Sequence, residues 1–68
     1  MTIQKKLIAT LKHILGDKKT EIVAIVNLLE TEQQKEQMMI YLSENYQDEE
    51  LMRIDRLLKT ALQIAGEE

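Results

Sequence analysis

Apolar residues recur along this chain at helical spacing. The richest run is Ile22-Val-Ala-Ile-Val-Asn-Leu-Leu29, with six large aliphatics and Asn27 as its single polar side chain. At about 100° per residue, Ile3, Leu7, Ile8, Leu11, Ile14 and Leu15 fall within an arc of roughly 140°, opposite Lys5, Lys6, Lys12 and His13. That pattern predicts a helix over about 3–15, capped by Thr2 and ended by Gly16 in a left-handed conformation. A second helix is expected over about 20–30, with Asp17 or Thr20 as its cap and an apolar arc of roughly 220°. Its Ile and Val content also suits a strand. No second strand pattern exists for it to pair with, and a lone strand leaves its backbone groups unsatisfied.

No conventional breaker separates Leu29 from Lys35, so one continuous helix from 20 to 45 is the rival arrangement. Phase decides against it. On one wheel the stripe Ile22, Ile25, Val26 and Leu29 centres about 170–190° from the stripe Met38, Met39 and Leu42. A turn near Glu30 lets both stripes be buried, with Thr31 and Gln34 forming a capping box for a third helix over about 31–45. Asn45 in a left-handed conformation would end it, and Tyr46 would then pack back on Tyr41. Asp48 reads as the next N-cap, with Glu49 and Glu50 matched to the dipole of a fourth helix over about 48–65. On that helix Leu51, Ile54, Leu57, Leu58, Ala61, Leu62, Ile64 and Ala65 fill an arc of roughly 160°. Glu49 with Arg53, and Asp55 with Lys59, are spaced for i,i+4 ion pairs. Gly66 closes the helix, and residues 66–68 are expected to fray. The fold class is therefore all-α, one compact antiparallel bundle of four short helices forming a single domain over 1–68, with no linker or internal repeat.

Size and composition narrow what such a bundle can be. A domain of 68 residues hides only about 60% of the surface its unfolded chain exposes. Small domains usually need a disulfide, a metal, oligomerisation or close to ideal helix packing. The absence of cysteine and the single histidine remove the first two, leaving packing, self-association or both. No long apolar run is present, so neither a membrane span nor a signal peptide is predicted, and a cytoplasmic location is expected.

Charge is unevenly spread. Residues 1–19 carry five lysines against Asp17, a net of +4, and the remainder carries four basic against eleven acidic residues, a net of −7. The overall acidity argues against a dedicated nucleic-acid binder. Lys5, Lys6 and Lys12 on the outer face of the first helix, with Lys18 and Lys19 beyond it, nevertheless form a candidate polyanion face. That face lacks aromatic residues for base stacking and arginine for base readout.

Catalytic chemistry finds little support. Ser43 and His13 fall on polar faces of different helices, and Glu44, Asp48, Glu49 and Glu50 lack the ligand alternation of a calcium loop. The sequence assigns no catalytic residue, metal or cofactor. Two apolar residues resist the wheel, Ile40 in the third helix and Met52 in the fourth. With Val23 and Leu28 from the over-wide arc of the second helix, they form a candidate protein interface. The expectation is a non-enzymatic helical interaction module that pairs with itself as a homodimer or with another protein. The alternative is a small regulator that contacts nucleic acid or another polyanion through its lysine face.

Overall fold

Thr2 sits in an extended conformation and its hydroxyl accepts the Lys5 amide at 3.3 Å, which starts helix α1, Ile3–Leu15, where the wheel places it. The structure is a computed structural model that describes residues 2–67. Gly16 ends α1 at φ +71°, ψ −137°, a region strained for any residue with a Cβ, while its amide donates to the Lys12 carbonyl. Helix α2 spans Lys19–Leu28, α3 spans Glu32–Asn45 and α4 spans Ile54–Gly66.

The turn near Glu30 is closed from both sides. Leu29 is extended at φ −93°, ψ 91°, and the Thr31–Gln34 capping box is complete. Gln34 Oε1 accepts the amides of Glu30 and Thr31 at 2.7 and 3.2 Å. The Lys35 ammonium reaches back to donate to the Leu29 carbonyl at 2.6 Å, so the end of α2 is capped by a side chain from α3. Both Gln34 and Lys35 are buried, and among the described residues no buried side-chain nitrogen or oxygen lacks a partner.

Four expectations about element ends require correction. Helix α2 begins at Lys19 with Lys18 as N-cap, and no side chain of Asp17 or Thr20 caps it. Asn45 is not left-handed, since no residue other than Gly16 has positive φ among those described. Its amide group donates to the Tyr41 carbonyl instead, and Tyr46 follows in the right-handed helical region, so the register that would set Tyr46 on Tyr41 does not form. The fourth helix starts six residues later than expected.

Asp48 does cap, but it caps a separate turn. Its carboxylate accepts the amides of Glu50 and Leu51 at 3.1 Å each, and its carbonyl accepts the Met52 amide. Arg53 then returns to an extended conformation and α4 starts afresh at Ile54. The restart resets the phase. A continuous helix would turn Met52 to the solvent side, whereas the break carries it into the core at 8% exposure. It also removes the expected Glu49–Arg53 pair, while Asp55, which keeps its i,i+4 spacing to Lys59 within α4, pairs with Arg53 instead. Among the described residues the ion pairs are Arg53–Asp55 at 3.6 Å and Arg56–Glu50 at 4.0 Å, both solvent-exposed and worth little.

Helix α1 packs on α2 and α3, and α4 packs on the same two, so the order round the bundle is α1, α2, α4, α3. The diagonals, α1 with α4 and α2 with α3, touch only slightly. The α2 and α3 stripes therefore meet in a common core rather than as a paired hairpin. Leu7 and Leu11, Ile25 and Leu29, Met38 and Leu42, and Leu57 fill that core, each burial contributing about 1.5–3 kcal/mol. The result is a four-helix bundle of 27 × 23 × 21 Å. Leu62, placed on the apolar arc of the fourth helix by sequence, is instead 57% exposed.

Candidate functional site

Ring order puts α1 beside α2, and their outer surfaces meet in a groove of about 290 Å³. Buried Ile22 and Val26 with half-buried Ile8 make its floor, and exposed Val23 adds a further apolar wall. Gln4, Lys12, Lys19 and Asn27 are exposed and form its rim. The over-wide arc of α2 explains the groove. Ile22, Ile25 and Val26 face the core, and Val23, one residue from Ile22 and so about 100° away, is left outside at 51% exposure.

This groove joins residues that the sequence treats as separate sites. Val23, a candidate for a protein interface, lies beside Lys12 and Lys19, candidates for a polyanion face. Among the described residues neither lysine makes an ion pair. The other three lysines do not line it. Lys5 and Lys18 are exposed elsewhere, and Lys6 lies at the α1/α3 groove with Ile3, Glu36, Met39 and Ile40. The lysine face is thus divided between two sides of α1.

The remaining interface candidates also separate. Ile40 is 57% exposed on the outer face of α3. Leu28 is half-buried and packs against the core, which corrects its placement outside it. Met52 is a core residue, for the phase reason given above.

The polar residues with chemical potential are engaged in structure. His13 Nε2 and the Tyr46 hydroxyl lie 3.1 Å apart, with the rings stacked at 11° and 6.2 Å between centroids. This contact ties the end of α1 to the segment after α3. Sequence reasoning missed it because the two residues are 33 positions apart, with His13 read on a solvent face and Tyr46 assigned to a local contact with Tyr41. The Ser43 hydroxyl donates to the Met39 carbonyl, a bond local to α3. Among the described residues no group of three His, Asp or Glu side chains is arranged to hold a metal ion, and no helix is long and apolar enough to cross a membrane.

The site and the fold together define a small helical bundle with an apolar, lysine-edged surface groove. Comparison of the chain with protein-family models, with curated proteins and with solved structures finds no match.

Proposed function

We propose that the chain is a small non-enzymatic interaction module whose α1/α2 groove receives an amphipathic helix with acidic flanks. The observation that carries this reading is the composition of the groove, an apolar floor of Ile8, Ile22 and Val26 edged by two lysines that make no ion pair among the described residues. Helix-in-groove recognition needs this combination. Apolar anchors at i, i+3 or i+4 and i+7 supply affinity, and charges at the edge set orientation and exclude like-charged partners.

The reading is tested with a labelled synthetic helix carrying leucines at i, i+4 and i+7 between glutamates. Fluorescence anisotropy should show binding that weakens with salt and falls about tenfold for Lys12→Gln/Lys19→Gln, which is the loss of about 1.4 kcal/mol. Equal binding by the variant, or no binding by the parent chain at several hundred micromolar, rules out the groove as the site. The polyanion alternative is supported by the exposure of all five lysines. In the same assay it requires that short duplex DNA bind with a steeper salt dependence than the peptide.

A further inference from the structure

The chain carries on its own surface a helix of the kind this groove fits. On α3, Glu36, Ile40 and Glu44 are all exposed and are spaced four residues apart, so they stack along one face over about 12 Å. The ridge has a large aliphatic at its centre and a carboxylate one turn to either side. Among the described residues neither glutamate has an ion-pair partner. The groove offers an apolar floor for Ile40 and, at its end nearest the α1–α2 turn, Lys12 and Lys19 for one of the two carboxylates, and among the described residues neither lysine has an ion-pair partner.

We infer that the Glu36–Ile40–Glu44 ridge of one copy docks in the α1/α2 groove of a second copy. This rests on the groove being a docking site and names its occupant. The interface is heterologous. In the order α1, α2, α4, α3, the groove lies between α1 and α2, whereas Ile40 borders the α3/α4 and α1/α3 sides. Ridge and groove thus face different directions, and two copies joined by one contact still leave a free ridge and a free groove. Association of this kind runs head to tail and extends beyond the closed pair expected of a homodimer.

Two variants isolate the two halves of the contact. Lys12→Glu/Lys19→Glu closes the groove to acidic ridges, and Ile40→Asp disables the ridge. All three positions are exposed, and circular dichroism verifies that both variants stay helical. Mass is followed by sedimentation and light scattering at several hundred micromolar in low salt. The parent chain is expected to exceed the mass of a dimer, and each variant alone to remain monomeric. An equimolar mixture keeps one working groove and one working ridge, so it is expected to form dimers and stop there. A monomeric parent chain overturns the inference, as does a mixture that stays monomeric while the parent associates. Binding of the synthetic acidic helix to the Ile40→Asp variant is read in parallel. If it persists when self-association fails, the groove stands and only its occupant is wrong. If it is absent as well, both readings fall together.

Discussion

Lys35 places an ammonium 2.6 Å from the Leu29 carbonyl at a position only 8% exposed. A lysine this buried is uncommon, and its hydrogen bond satisfies a carbonyl that the end of α2 leaves without a helical partner. Lys35→Met preserves the aliphatic stem but strands that carbonyl, so a loss of about 1–3 kcal/mol is expected in urea unfolding. Unchanged or raised stability would show that the bond does no more than offset the burial of the charge. Not every residue-scale feature was equally legible in the sequence. Thr2, Thr31 and Gln34 act as their types and spacings predict, because a cap is a contact within three residues. Lys35 was not foreseen, since its partner is a backbone atom brought near only by the turn at Glu30. The His13–Tyr46 contact depends on tertiary placement in the same way.

At the scale of elements, phase proved a better guide than capping signatures. The break between α2 and α3 follows from two stripes that disagree in direction. The same test applied at residues 48–54 would have split the fourth segment, because Met52 is out of phase with Leu57 and Ala61. The signature Asp48-Glu49-Glu50 obscured this, since an acidic cap looks alike whether it opens a long helix or a single turn. The two apolar residues that resist the wheel therefore have opposite explanations. Met52 signals a break in the helix and is buried, whereas Ile40 belongs to an unbroken helix and is exposed. Truncation should separate them. Met52→Ala is expected to cost about 2–5 kcal/mol through lost burial and a cavity. Ile40→Ala should stay within about 0.5 kcal/mol of the parent in thermal or urea unfolding of dilute protein. Similar losses for both would contradict the restart of α4 at Ile54.

Over the whole molecule, the run from Ile22 to Leu29 organises both core and surface. Ile22, Ile25, Val26 and Leu29 anchor the bundle, Leu28 packs at the margin of the core, and Val23 remains outside it. The bundle class is legible from periodicity alone because each helix declares its apolar face. The groove is not legible, since it depends on the order of helices round the bundle, and four amphipathic helices are compatible with more than one such order. Only with α1 beside α2 do Lys12 and Lys19 come together at one end of the apolar residues that α2 leaves uncovered.

The groove is tested most directly by amide chemical-shift mapping of the isotope-labelled chain during titration with the synthetic acidic helix. Ile40→Asp serves as the labelled background, so that self-association does not contribute. Saturable shifts are expected to cluster at Ile8, Lys12, Lys19, Val23 and Asn27, with the outer residues of α4 unmoved. Shifts centred on α4 or on the α3/α4 side, or none at several hundred micromolar peptide, would contradict the assignment of the α1/α2 groove as the docking site.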